Sequence, residues 1–366
     1  MVAGALTLRH HCGMRRAPWL SAGVAGVLAG LFATDSRAGD PHGRVVRIEA
    51  PRRLEIRVPA GRFWMGVDED TAKAAFTQCT MVFPALTGIS GIGATAIRVD
   101  FCGDYLATLS AMNPREVFVD AFLIDRDEVS VDEYRRCVAA GSCDLDPLVA
   151  GDERYIRDGW PMVNATWREA QDFCRWRGGR LPSEAEWERA ARGDDPGATW
   201  PWGDLEQPKD FNHGQPRAQA MRDIDRTPTP VPVQFFGDPD DTDGHAILAP
   251  PGSYVWGEGP YGTRDQAGNV AEWTADAWIF DTKTKGYERL GSVNPYREGT
   301  LNDQRVVRGG SWRQPTFIAK SNLRDPFNKE YDPKQRFSHV GFRCVHSGRQ
   351  LDDTTITPRK PGLGPD

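Results

Sequence analysis

The residues best placed to do chemistry lie late in the chain, in RVVRGGSWRQPTFIAKSN from Arg305 to Asn322. A basic segment runs into the turn Gly309-Gly310-Ser311, with Trp312 directly after it. A serine at such a turn becomes a nucleophile only when a histidine base, itself oriented by an acid, lies within hydrogen-bond reach. His339 is the only downstream histidine before Gly341-Phe342-Arg343, and no spacing ties it to Ser311. Positions Arg313 to Ala319 hold no Cys, His, Asp or Glu. Two readings stay open. One is a tight structural turn with Trp312 in the core; the other is the floor of a binding groove.

The other reactive residues are few. Beyond the first 38 residues the histidines are His42, His213, His245, His339 and His346, with no pair at i, i+2 or i+4. That inventory does not make a facial iron triad, and His339 with a distant carboxylate is the one arrangement left. Of seven cysteines, Cys12 falls in the N-terminal segment, leaving Cys79, Cys102, Cys137, Cys143, Cys174 and Cys344. None forms a C-x-x-C pair, so a zinc or dithiol redox centre has little support. A net charge of −6 without a basic block argues against a nucleic-acid partner.

The N-terminal segment explains the cysteines. Arg15 and Arg16 precede an apolar run to Ala33 and a small-residue site at Ser36-Arg37-Ala38, the pattern of a secretory signal cleaved after Ala38. The run is short and broken by glycines, which disfavours a stable membrane anchor. Residues 1–38 therefore read as a signal peptide, and the mature protein as periplasmic or secreted. In an oxidising compartment an even number of cysteines reads as disulfides.

The elements that must position these residues are marked locally. Residues 39–52 read as a linker. RLEIRVPAGRFWMG (53–66) alternates apolar and polar residues around a turn at Pro59-Ala60-Gly61 and predicts a strand pair, and EVFVDAFLIDRDEVS (116–130) resumes the alternation. Residues 68–115 contain a flexible Gly-rich loop, TGISGIGATA, and read as an insertion stapled by Cys79 and Cys102. Capping boxes at Ser130/Glu133, Thr166/Glu169 and Ser183/Glu186 predict three helices, each ending at a glycine: Gly141, Gly178 and Gly193. Cys137 and Cys143 straddle the first of these ends as a local staple. Residues 194–300 read as turns and short strands, and 348–366 as a disordered tail. Thirty-eight glycines and 12 tryptophans suit a loop-rich fold clamped by aromatics.

In chain order the segments VPAGRFWMG, VDAFLIDRDEVS, PMVNATWREAQDFCRWRGGRLPSEAEWERAARG, WPWGD, DQAGNVAEWTAD, VVRGGSW and GFRCV resemble the formylglycine-generating enzyme, or sulfatase-modifying factor, family over residues 53–347. The resemblance implies a C-type-lectin-like mixed α/β fold, loop-rich and disulfide-stapled, with little regular secondary structure. It also implies a Cys174–Cys344 disulfide. Copper-dependent members oxidise a substrate cysteine to formylglycine using two cysteines, the second and seventh residues beyond the aromatic after the Gly-Gly-Ser turn. Those positions here are Gln314 and Ala319. Copper(I) wants soft sulfur donors, which neither supplies, so copper is not expected. Iron-dependent relatives take ligands from an extra helical domain that this chain lacks, and other relatives act in siderophore maturation. Ala271 stands where the family usually has an aromatic beside its pocket.

The resemblance also implies structural calcium. Asp265 and Glu272 would supply carboxylates, and Gly268 and Val270 carbonyls, to one ion. Asn212, His213, Asp243 and His245 match a second site, the histidines giving backbone oxygens only. The groove would be lined by Ser311, Arg313, Gln314, Arg324 and Arg343. The expected function is a non-oxidase binding or accessory module for a peptide, protein or glycan. The alternatives are an oxidoreductase on a peptide or siderophore-like substrate, or an atypical formylglycine-generating oxidase, in the groove around Ser311.

Overall fold

A computed structural model describes residues 54–82, 101–150, 153–215, 238–239, 241–278, 290–326 and 331–347. Contacts divide the chain into Met1–Val46 and Arg47–Asp366, and every described residue belongs to the second unit. The signal peptide, the linker and the tail read from the sequence lie outside the described residues.

Strand β1 (Glu55–Val58) and strand β2 (Gly61–Met65) flank the Pro59 turn without pairing to each other. Each joins a strand of the later alternating segment: β2 pairs with β3 (Arg115–Val119) and β1 with β4 (Phe122–Asp125), both antiparallel. The expected strand pair is thus two strands in two sheets. The two-residue connection Pro59-Ala60 sends the chain from one sheet to the other. Strand β10 (Val345–Ser347) closes the other edge of β4.

Within 68–115 the described residues are mostly helical, and the Gly-rich TGISGIGATA lies outside the described residues. Helix α1 (Glu69–Val82) and helix α2 (Phe101–Ser110) occupy most of the described part and are joined by Cys79–Cys102. The start of α1 was legible. Asp68 accepts the Thr71 amide at 2.8 Å, an aspartate N-cap rather than a Ser/Thr box. Its buried side is made of small residues, Ala72, Ala75 and Cys79, which leaves no strong apolar stripe to read.

The three capping boxes form as expected, opening α3 (Val131–Ala139), α5 (Trp167–Trp176) and α6 (Glu184–Arg192). A short helix α4 (Asp146–Val149) follows α3, with Cys137–Cys143 bonded across the connection. Gly193 departs from the expected left-handed end: it is the C-cap itself, at φ 72° and ψ −148°. Short strands β5 (Gly214–Gln215) and β6 (Asp238–Pro239) pair with each other.

The site rests on a fourth sheet, ordered β8 (Arg305–Arg308), β7 (Ala271–Ala277), β9 (Val340–Gly341). All seven residues of β7 are buried, so no alternation marks it in the sequence. Cys174 on α5 bonds to Cys344 just before β10, and Phe173 packs edge-on against Phe342, centroids 5.5 Å apart. The result is a mixed α/β fold with modest regular structure, bound by three disulfides.

Candidate functional site

Strand β8 delivers the Gly-Gly-Ser turn, and both glycines are required. Gly309 (φ 96°) and Gly310 (φ 67°) have left-handed backbones, and a Cβ on Gly310 would lie 2.9 Å from Ala319 Cα. The short helical turn Thr316–Ala319 therefore sits directly on Gly310, while Gly309 faces the Trp187 ring. Trp312 is core, packed against Tyr155 and donating its indole N–H to the Ser338 carbonyl at 3.3 Å.

Ser311 opens a buried polar chain. Its Oγ donates to Gln314 Oε1 at 2.8 Å, and Gln314 Nε2 donates to Asp325 Oδ2 at 2.7 Å. Tyr331 donates its hydroxyl to the same Asp325 oxygen at 3.0 Å and lies 3.3 Å from His339 Nε2. All of these residues are 2% exposed or less. Burial, and then the Arg313 charge, hold the His339 imidazole well below its usual pKa, so it is neutral. Burial and the Asp325 charge push the Tyr331 phenol up, which keeps it a donor. Ser311 gives its hydrogen to an amide oxygen rather than to a base, so it is not set as a nucleophile.

The other groove candidates divide. Arg313 lies over the Trp312 ring, 5.5 Å from its centroid. Arg324 is turned into the core and forks onto Glu184 at 2.7 and 2.5 Å. Arg343 is fully buried and grips both oxygens of Glu272 at 2.6 to 2.9 Å. Neither Arg324 nor Arg343 lines an open groove. A guanidinium so deep is stable only against a carboxylate, and sequence alone does not reveal partners 140 and 71 residues away. Arg308 joins the first of these networks, donating to Glu184 at 3.2 Å and Glu188 at 2.7 Å, which anchors β8 to α6.

The donors at the family's copper position do not fit copper(I). Gln314 is a hard amide already held at both ends, Ala319 is a methyl against Gly310, and all six cysteines among the described residues are in disulfides.

The two loops at which the resemblance implies calcium fit a hard cation in part. In the first, Asp265 Oδ2 accepts the Gly252 amide at 2.5 Å, while Oδ1 is buried without a hydrogen-bond partner. Burial pushes the Asp265 carboxyl up to about 7. Glu272 is committed to Arg343 and to the Trp187 indole N–H at 2.8 Å. Glu128, not singled out in the sequence, is buried beside them; it accepts Asn269 Nδ2 at 2.6 Å and the Val270 amide at 3.1 Å. Its only sequence sign is an acid ending a strand-like run, which is ordinary in turns.

In the second loop Asp243 accepts the amides of His213 and His245, both at 2.9 Å, and Asn212 Oδ1 is buried without a partner. The loops are fused: the Asn269 amide donates to Asn212 O at 2.8 Å, and a Cβ on Gly268 would collide with that carbonyl. Among the described residues no three His, Cys, Asp or Glu side chains converge as a ligand set. A cation at either loop would therefore depend on amide and carbonyl oxygens beside a carboxylate.

Comparison with known proteins places this architecture. The sulfatase-modifying factor enzyme 1-like domain matches residues 47–348. The mouse formylglycine-generating enzyme is 32% identical, the match covering 79% of this chain and 74% of that protein. The mouse inactive C-alpha-formylglycine-generating enzyme 2 is 32% identical over 53% of this chain and 51% of its own. A formylglycine-generating enzyme of Streptomyces coelicolor is 33% identical over 52% of this chain and 54% of its own, so the chain spans about half the length of these two relatives. The structure of PvdO from Pseudomonas aeruginosa aligns over 80% of this chain and 93% of its own, with 21% identity and a TM-score of 0.51, a likeness of fold.

Proposed function

The chain belongs to the sulfatase-modifying factor family, and from that premise we propose that it is an exported member without copper oxidase chemistry, a binding or accessory module for a peptide, protein or glycan. The observation that carries this reading is Gln314. It occupies the position of the first copper cysteine and bridges Ser311 and Asp325 through two buried hydrogen bonds. Such a fully paired polar cluster rigidifies the old metal position and leaves no soft donor in it. Three disulfides support an oxidising compartment, periplasmic or extracellular. No described helix is long and apolar enough to cross a membrane.

The runner-up is an oxidoreductase on a peptide or siderophore-like substrate. It is favoured by the continuous chain of titratable groups Asp325, Tyr331 and His339. An atypical formylglycine-generating oxidase would need a thiol that no described cysteine supplies.

Metal analysis and thiol titration of protein from the oxidising compartment test the choice. The expected result is no stoichiometric copper or iron and no free thiol after the signal segment. Stoichiometric copper or iron would make the Ser311 region a redox site and end the non-oxidase reading.

Structural calcium belongs to the same proposal. The orphaned oxygens of Asp265 and Asn212, one in each loop, are the acceptors that a hard cation would satisfy. Calcium at a hundred times its dissociation constant is expected to stabilise the fold by about 2.7 kcal/mol over the chelator-treated protein. Thermal unfolding with calcium and with chelator measures this, and equal midpoints with no bound calcium would remove the proposal.

A further inference from the structure

A concave site lies apart from the buried Ser311 chain. It is a cleft of about 520 Å³, within the range of small-ligand pockets, and it shares no residue with the chain from Ser311 to His339. One wall is a single face of α5, where Trp167, Gln171 and Arg175 follow at i, i+4 and i+8. Asp120, Asn294 and Tyr296 line it as well, and Phe122 and Ala275 contribute apolar lining. Arg180 and Glu186 complete the lining.

The walls are built before any ligand arrives. The Trp167 indole N–H donates to the Thr274 carbonyl at 2.7 Å, and the Arg305 guanidinium lies 3.9 Å from its ring centroid. Asn294 has a left-handed backbone (φ 46°); its Oδ1 accepts the Asp120 amide at 2.8 Å, and its Nδ2 donates to Asp120 Oδ2 at 2.9 Å. Arg180 forks onto Glu186 with both bonds at 2.7 Å.

The charges name the ligand class. Asp120 and Glu186 offset Arg175 and Arg180, and Arg175 is paired again with Asp172 at 2.7 Å. The lining therefore has no net sign to attract an anion or a cation. What it offers is donors and acceptors side by side, Asn294 with Asp120 and Arg180 with Glu186. That pairing matches adjacent hydroxyls, each of which must donate and accept. Tyr296, 48% exposed, adds an aromatic face able to cover the C–H face of a pyranose ring. We propose that this cleft binds a neutral oligosaccharide. The proposal stands whether or not the Ser311 region binds anything.

Isothermal titration of the full, disulfide-bonded chain tests it. The probes are chitotetraose, cellotetraose and mannotetraose, with a heparin tetrasaccharide and a polyglutamate peptide as charged comparators. At least one neutral tetrasaccharide is expected to bind with a sub-millimolar dissociation constant that salt leaves unchanged. Tyr296→Ala and Gln171→Ala are each expected to weaken binding about tenfold, about 1.4 kcal/mol. Tyr296→Ala is expected to do so with an unaltered unfolding midpoint, whereas Gln171→Ala also removes the acceptor of the Leu181 amide at 3.2 Å and is read beside its own midpoint. Tyr296 is exposed enough that its truncation leaves the core intact. No neutral probe binding, binding by the charged probes alone, or variants with wild-type affinity would each overturn the proposal.

Discussion

Replacing Cys174 and Cys344 together by alanine is expected to lower the stability of the oxidised protein by about 5 kcal/mol in the chain-entropy picture. The bond closes a loop with a sequence separation of 170, and both cysteines are fully buried where α5 meets the strand that follows β9. Without it the unfolded chain regains the entropy of that long loop, while the folded core loses its one covalent tie between helix and last strand. A loss this large is comparable to the whole stability of many domains. The local staple is the internal control. Cys137 and Cys143 are separated by only 6, so the same replacement there is expected to cost about 2 kcal/mol. Urea unfolding of both double variants under non-reducing conditions measures the difference, and equal losses would refute the loop-length account.

Arg343→Met is expected to cost about 3–5 kcal/mol. Arg343 is the guanidinium gripping Glu272, and it also donates to the backbone carbonyls of Arg126 at 2.9 Å and Arg264 at 2.7 Å. Removing it takes the ion-pair partner from Glu272, which lies beside the buried Glu128 and Asp265. It also takes the guanidinium donor from the Arg264 carbonyl, while the Arg126 carbonyl keeps the Arg264 amide at 2.8 Å. Charge removal without shape change distinguishes this from a packing effect. In the Arg343→Met, Glu272→Met double variant the uncompensated charge is gone, and much of the stability is expected to return. The comparison is made by thermal unfolding. A single variant that melts like the wild type would show that the pair is not structural. A double variant worse than the single would show that the other contacts of Glu272 outweigh the ion pair, the bond from the buried Trp187 indole N–H first and the calcium of the proposed loop next.

The parts of this protein legible in sequence are those whose causes lie within a few residues. The three capping boxes were readable because the cap and its partner are three residues apart, and the structure forms each of them. The cysteine count and the local staple were readable for the same reason. The missing copper cysteines were readable because the motif places them a fixed number of residues beyond Trp312. Helix α1 shows how narrow that reach is. Its aspartate cap is as local as the others, but a buried face of alanines carries little periodic signal.

Where the causes lie far apart in the chain, tertiary structure made the decision. Arg324 and Arg343 look like groove cations in sequence and become the buried partners of Glu184 and Glu272, because desolvated charge is tolerated only beside its counter-charge. Glu128 looks like a turn acid and becomes a buried acceptor for the Asn269 side chain and the Val270 amide. The partners of Gln314 are chosen by how the glycine turn, the segment carrying Asp325 and Tyr331, and strand β9 pack together; no spacing rule specifies that packing. Sequence by itself determined the family, the helix starts and the loss of soft copper donors, since these depend on residue type and short spacing. Only the folded chain decided which polar residues face a cleft and which are buried in pairs, because burial is a property of distant segments brought together.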